Sequence, residues 1–330
     1  VRFSEYMSDW LYGESGYYKI FRDIGKGGDF YTAVSTSPFF GASIANYLFK
    51  KIESQELNRD TLLVEIGGHR GYLLGDMIQW IYSCDSSLIS SMRFAIVERQ
   101  EEVQKIQKEY FRERFGDDVT IEFVNSVDEL DSSYAFIVSN EIFDAFPCEL
   151  LKDGDIAVVN DNAIEWIAGD EKTLTKAKKY KQVKGELAIG YEDFAKEISD
   201  SFENCDFVSF DYGEKYVRND FSIRIYKEHK TLPLFDEEVI LNKDFKNSDI
   251  TYDVNFEHII DAFGEESFKV EIYETQARAL IRFGLIDMLE DFAKQTTEAI
   301  YLRELDKVKT LISPTIMGDK FKMIHLKRRG

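Results

Sequence analysis

The sequence predicts an α/β protein built on an open, doubly wound, mostly parallel sheet. Short runs that are apolar on both faces alternate with segments of helical spacing through the middle of the chain, the pattern of a sheet covered by helices on both sides. A glycine cluster follows the first such run and opens a helical segment. Acids and amides stand at the ends of several runs, where open sheets of this kind bind ligands.

The strands follow in chain order. "TLLVEIGG" (61–68) is continuously apolar up to Glu65, and Leu73, Leu74, Met77, Ile78 and Ile81 then recur at helical spacing. "RFAIVE" (93–98) leads into the amphipathic "RQEEVQKIQKEYFRERF". "VTIEFVN" (119–125), "SYAFIVSNE" (133–141) and "CDFVSFDYG" (205–213) are the next three, and "FKMIHLKR" closes the sheet after helices over roughly 276–312. Right-handed crossovers between such strands give the doubly wound arrangement. Residues 1–55 read as a helical extension carrying a glycine-rich loop, "IGKGGDFYTA". Residues 56–330 read as one catalytic domain with two insertions. The insertion at about 148–204 starts as a hairpin with turns at Asp153-Gly154 and Asn160-Asp161-Asn162. The one at about 214–267 reads as long and irregular.

Bulk properties narrow the function. A net charge of -20 repels phosphate backbones, so nucleic acid is not an expected partner. Cys84, Cys148 and Cys205 are widely spaced, and His69, His229, His258 and His325 show no ligand spacing, so neither a disulfide framework nor a metal is expected. A reducing cytoplasm suits this cysteine usage. No apolar run approaches the roughly 18 residues of a membrane span, and no signal-peptide pattern is visible. The start at Val1 leaves room for a trimmed leader.

The candidate site residues end strands. Glycines at Gly67, Gly68 and Gly71 let backbone N–H groups approach a ligand, and the following helix points its positive end at the same place. Glu98 ends the second strand, where a carboxylate can accept both hydroxyls of a ribose. Asn125 and Ser126 end the third, near the expected adenine edge. Asn140 and Glu141 end the fourth, with Asp144 one turn on. A dinucleotide fingerprint needs glycines where His69 and Tyr72 stand, and Glu98 lies late for its acid. The S-adenosylmethionine (SAM) loop, an acid followed by glycines at alternate positions, fits Glu65, Gly67 and Gly71 with His69 in place of the middle glycine. The plain alternative is a strand-to-helix turn that needs glycine and binds nothing.

Longer segments add a resemblance. "FSEYMSDWLYGESGYY" (3–18), "GGDFYTAVSTSPFFG" (27–41), "EIGGHRGYLLGDM" (65–77), "SNEIFDAFP" (139–147), "DYG" (211–213), "SDITYDVNF" (248–256), "TQARALIRFG" (275–284) and "MGDKFKMIHL" (317–326) occur in the order of the motifs of one family. The chain resembles, almost end to end, the MidA-like class I SAM-dependent methyltransferases, whose mitochondrial member is a protein arginine methyltransferase needed for assembly of respiratory complex I. The segments N-E-x-x-D-A-x-P and G-D-F-x-T carry most of that specificity.

The resemblance implies a Rossmann-like, mostly parallel seven-stranded sheet with inserted cap segments. It implies SAM as cofactor and a protein substrate, a subunit of a NADH dehydrogenase, methylated on arginine. A bacterial chain would work in the cytoplasm and a eukaryotic one in the mitochondrial matrix. Glu141 and Asp144 would hold the substrate guanidinium and Asn140 would serve the donor. Glu65 would order the loop, and Gly28, Asp29, Tyr31 and Thr32 would close over the cofactor. Three departures stand out. The family's Pro-Glu after G-D-F-x-T-A is Val34-Ser35, its G-T-L-R is Phe221-Ser222-Ile223-Arg224, and the middle loop glycine is His69. They leave a rival reading open, an assembly chaperone that binds SAM or has lost it and transfers no methyl group.

Overall fold

The computed structural model of the protein describes residues 1–22, 32–227 and 230–330. The chain divides into two compact units. Tyr31–Asn140, Lys196–Asp211 and Glu266–Gly330 form a sheet unit, and Val1–Phe30, Glu141–Ala195 and Tyr212–Glu265 form an insert unit.

The sheet unit is organised around strands β1 (Leu62–Ile66), β2 (Arg93–Val97), β3 (Ile121–Val124), β4 (Ala135–Asn140), β5 (Cys205–Glu214, its last three residues in the insert unit), β6 (Lys269–Thr275) and β7 (Phe321–Arg328). Their order is β6-β7-β5-β4-β1-β2-β3. β1 pairs in parallel with β2 and with β4, β2 with β3, and β4 with β5, while β6 and β7 are antiparallel. Leu62–Val64, Phe94–Ile96 and Ala135–Val138 are at most 2% exposed, as strands buried on both faces must be. Helix α1 (Tyr72–Cys84) joins β1 to β2, and α2 (Glu101–Phe115) joins β2 to β3. α1 buries Leu73, Leu74, Met77, Ile78 and Ile81, the positions that recur at helical spacing.

The strands expected from the sequence are present with shifts at their ends. β6 is the one that its own residues conceal. It is the outer strand, it carries Lys269, Glu271 and Glu274, and none of its residues is buried. Polar edge strands of this sort resist pairing with other chains and read as loop.

The insert unit holds a four-stranded antiparallel sheet in the order 163–168, 155–160, 148–152, 184–188. Its two hairpin turns carry left-handed residues at Asp153-Gly154 (φ 51° and 95°) and Asp161-Asn162 (φ 46° and 61°), the conformation that tight hairpins need. The segment 214–267, expected to be irregular, carries several short elements among its described residues. Strands Arg224–Lys227, Lys230–Pro233 and Asp249–Thr251 form a three-stranded sheet. Val254–Asn255 pairs with Gly213-Glu214, and helix Phe256–Glu265 follows. These strands have two to four residues each, too few to show a period. Helix Phe3–Tyr12 buries Trp10, whose indole N–H donates to the Ser248 carbonyl at 2.7 Å.

No helix among the described residues is long and apolar enough to cross a membrane. Among those residues no group of three or more His, Cys, Asp or Glu could hold a metal ion.

Candidate functional site

In the sheet unit the strand register assembles one edge. Ile66 pairs with Val97 and with Ser139, and Val97 pairs with Val124. The carboxyl ends of β1 to β4 are therefore level, about 4.8 Å apart from strand to strand. Gly67, Glu98, Asn125 and Asn140 each lie at or just beyond such an end, and β1, flanked by β2 and β4, is where the strand order reverses. Ligands bind at that kind of switch point.

The loop after β1 is built by its own residues. Gly68 through Gly71 form a tight turn closed by the Gly71 N–H donating to the Gly68 carbonyl at 2.5 Å. Gly67 (φ 74°), His69 (φ 44°) and Gly71 (φ 82°) are left-handed. His69 thus adopts a left-handed backbone that glycine takes freely, at a strain of roughly 1–2 kcal/mol, and histidine is among the residues that visit this region more readily. Gln107 of α2 steadies it by donating to the His69 carbonyl at 2.8 Å. Gly71 could not carry a side chain, because a Cβ would stand 2.6 Å from the Phe111 ring.

Glu65 lies beneath this loop, 4% exposed. Its Oε2 accepts the N–H of Leu74 at 3.1 Å. Burial pushes its carboxyl up to about 8, partly offset by that N–H. Glu98 is half-buried; its Oε1 accepts the Gln100 N–H at 2.9 Å, and Gln104 donates to its carbonyl at 2.7 Å. Asn125 is exposed, and its amide oxygen lies 3.4 Å from the Gln104 side-chain nitrogen. The Ser126 hydroxyl donates to Glu197 at 2.7 Å, and Ser126 begins the short turn Val127–Glu129. Thr32 is buried and caps helix Ala33–Thr36, accepting from the Ser35 N–H at 3.2 Å. Gly28, Asp29, Tyr31 and His229 lie outside the described residues.

The two carboxylates after β4 belong to the insert unit. Glu141 has a left-handed backbone at φ 54°, a conformation that costs about 1–3 kcal/mol in a residue other than glycine and concentrates at functional sites. Asp144 sits in the 3-10 turn Phe143–Ala145 and is 4% exposed. All three carbonyls of that turn are engaged by tyrosines: Tyr191 hydroxyl to Phe143 at 2.9 Å, Tyr252 N–H to Asp144 at 3.4 Å, and Tyr12 hydroxyl to Ala145 at 2.9 Å. The Tyr212 hydroxyl donates to Asp144 Oδ2. Asp144 Oδ1 is buried and makes no hydrogen bond of ordinary geometry. Burial pushes the carboxyl up to about 6, against the pull of Tyr212, Arg224 and the N–H groups of Asp144 and Ala145.

A family model described as "Putative S-adenosyl-L-methionine-dependent methyltransferase" matches residues 43–274, more than two thirds of the chain. The chain belongs to this methyltransferase family. The match covers all seven loop residues from Glu65 to Gly71, together with Glu98, Asn140, Glu141 and Asp144. Curated relatives agree over greater length. The mitochondrial "Protein arginine methyltransferase NDUFAF7" of Danio rerio is 21% identical over 99% of this chain and 83% of its own. The Xenopus tropicalis protein of the same name is 22% identical over 99% and 82%. The fold is that of a Burkholderia thailandensis protein crystallised with S-adenosyl-homocysteine, with a TM-score of 0.84 at 22% identity over 99% of this chain and 88% of that one. A native crystal structure from the same organism superposes with a TM-score of 0.80, again at 22% identity and over 99% of this chain and 87% of that one.

Two residues of this methyltransferase escaped notice as functional candidates. Tyr212 is the middle of the D-Y-G motif, and Arg224 ends the departed G-T-L-R segment. The motifs mark both positions, but neither reveals that Tyr212 bonds Asp144 or that Arg224 lies over the Tyr212 ring.

Proposed function

We propose that the protein is a SAM-dependent methyltransferase that modifies an arginine side chain of a protein substrate, as its relatives' names have it, and that the substrate is a NADH dehydrogenase subunit, as the motif resemblance implies. It would act in the cytoplasm of a bacterium or the matrix of a mitochondrion. The observation that carries this reading is the level carboxyl edge of β1 to β4. It sets a left-handed glycine loop, a helix N-terminus and the Glu98 carboxylate side by side, and this set fits an amino-acid nucleoside.

When bound, SAM supplies a methyl group already activated on a sulfonium. The N-terminus of α1 and the loop N–H groups hold the cofactor's carboxylate. Glu98 accepts the ribose hydroxyls, with Asn125 at the adenine side. Asn140, the last residue of β4, offers its carbonyl or amide to the amino or sulfonium group. Glu65 orders the loop from below, and Ser126 and Thr32 brace the neighbouring turns. Gly28, Asp29 and Tyr31, outside the described residues, are assigned to the cofactor by the motif resemblance alone.

Arginine is cationic at any working pH and planar, so carboxylates are needed to hold it and to direct one nitrogen. Glu141 and Asp144 supply them. Positioning of this kind accounts for much of the rate in transfers from an activated donor. Incubating the protein with methyl-labelled SAM and cell extract tests the proposal. A labelled protein band, yielding methylarginine on hydrolysis, is the expected result. Labelling only of nucleic acid or small molecules would contradict it.

A further inference from the structure

Asp144 does not stand alone in the insert unit. Tyr212 donates to its Oδ2, and the guanidinium carbon of Arg224 lies 4.5 Å from the centre of the Tyr212 ring. Arg224 is fixed in turn. Its Nη1 donates to Asp253 Oδ1 at 2.6 Å and to the Ser222 carbonyl at 3.1 Å, and its Nε donates to the Tyr226 hydroxyl at 3.1 Å. A cation held over an aromatic face is attracted by the ring, and its field favours a negative carboxylate behind the ring's hydroxyl. Tyr212 therefore occupies one oxygen of Asp144 and leaves Oδ1 for another donor.

We propose that Tyr212 and Arg224 are positioning residues that keep Asp144 an ionised, one-sided acceptor, with Oδ2 engaged and Oδ1 presented to the arginine that receives the methyl group. The proposal rests on the methyltransferase reading above and adds to it the pair that makes the acid usable. Without the pair, a carboxyl this buried takes up a proton and rotates. With the pair, the carboxylate survives burial. In the transfer, the guanidinium nitrogen forms its bond to the methyl carbon as the sulfur–carbon bond breaks and leaves its electron pair on sulfur. The nitrogen then sheds one proton, which Oδ1 takes and passes to solvent. Because Asp144 is 4% exposed, an incoming guanidinium reaches Oδ1 only by displacing what covers it.

The groups that bear on Asp144 come from several elements. Tyr212 stands on β5 and Arg224 on strand Arg224–Lys227. Tyr18 stands in the turn Tyr17–Lys19 with its hydroxyl on Asp249 at 2.9 Å, and Tyr252 follows strand Asp249–Thr251. Burial pushes the Tyr18 and Tyr252 hydroxyls up, and the Asp144 charge adds a smaller push in the same direction. Neither competes as an acid near neutral pH.

Carbon-13 NMR of the full chain labelled at aspartate carboxyls, with Asp144→Asn to assign the signal, reads the pair directly and needs no cofactor. Tyr212→Phe keeps the ring under Arg224 and loses only the hydroxyl, so the Asp144 midpoint should rise by about one unit or more. Arg224→Met should raise it likewise, and Arg224→Lys should restore it in part. In methyl transfer the acid limb of the Tyr212→Phe profile should move up by the same amount, with kcat reduced and KM little changed. If Tyr212→Phe does not fold by its melting curve, the Arg224 pair of variants carries the test. An unmoved midpoint in both Tyr212→Phe and Arg224→Met overturns the proposal, as does a loss of transfer equal at every pH. A shifted midpoint in a protein that transfers no methyl group at all would keep the pairing and sink the enzyme reading instead.

Discussion

The Glu65 side-chain carboxyl on β1 accepts the backbone N–H of Leu74 at 3.1 Å, so a strand residue caps the helix that follows it. α1 begins after Gly71, which has no side chain to offer, and Leu74 is its third residue, the usual recipient of a cap. The first acid of the loop motif thus has a structural task, and that task places the helix end at the carboxyl edge of the sheet.

That burial gives stability a pH signature. The Glu65 carboxyl is pushed up to about 8 from 4.5, so folding favours its neutral form. Its contribution is fully present below about pH 4.5 and is lost as pH rises through about 8. Asp144, raised to about 6, adds the same sign between its unfolded value and pH 6. Asp206, Glu192 and Asp170 are held well below their usual range by His325, His258 and Thr173 among others, so they act below this window. Burial holds His258 below its usual 6.5, and it acts with the opposite sign below that value, so urea unfolding between pH 6.5 and 8.5 should show stability falling, and Glu65→Gln should flatten that fall. Equal slopes in the two proteins would refute the assignment.

At His69 the backbone, more than the side chain, sets the requirement. The φ of 44° is costly for a β-branched residue, so His69→Val should lower the unfolding free energy by about 1–2 kcal/mol. His69→Gly should stay near the parent, since relief of strain offsets the greater freedom of the unfolded chain. Chemical denaturation measures both. A harmless His69→Val would show that the turn relaxes to another conformation.

For Asp144, burial decides which substitution is informative. Alanine would remove the buried acceptor of the Tyr212 hydroxyl and destabilise the turn. Asp144→Asn keeps the shape and an oxygen for Tyr212 while removing the charge. S-adenosylhomocysteine affinity should be unchanged and methyl transfer should fall by about 100-fold or more. Transfer within a few-fold of the parent would remove Asp144 from the chemistry.

Glu98→Gln keeps an oxygen for the Gln100 N–H and loses the charge offered to a ribose. The melting temperature should hold, and S-adenosylhomocysteine should bind about tenfold more weakly, the scale of one charge-assisted hydrogen bond. Unaltered affinity would mean that Glu98 only closes its own turn.

The sheet was legible because its strands are buried on both faces and so carry unbroken apolar runs, as Leu62–Val64 and Ala135–Val138 do. The hairpin at Asp153-Gly154 was legible because tight turns require particular residues. The surroundings of Asp144 were not, because Tyr212 lies 68 residues away and nothing local announces the pairing. Thr32 shows how one motif can hold two kinds of information. Its hydroxyl caps Ala33–Thr36, and Ser35 returns a bond to the Thr32 N–H at 3.0 Å. Ser35 stands where the family pattern has glutamate, the usual partner in this reciprocal cap. At Ser35 that departure therefore keeps a folding role.

The most direct test of the central claim is calorimetric titration of the full chain with SAM and with S-adenosylhomocysteine. The level edge of β1 to β4 and the left-handed His69 predict saturable one-to-one binding of both, weakened by Glu98→Gln and indifferent to Asp144→Asn. No heat of binding from either ligand up to millimolar concentration, with a folded protein in the cell, would contradict the account.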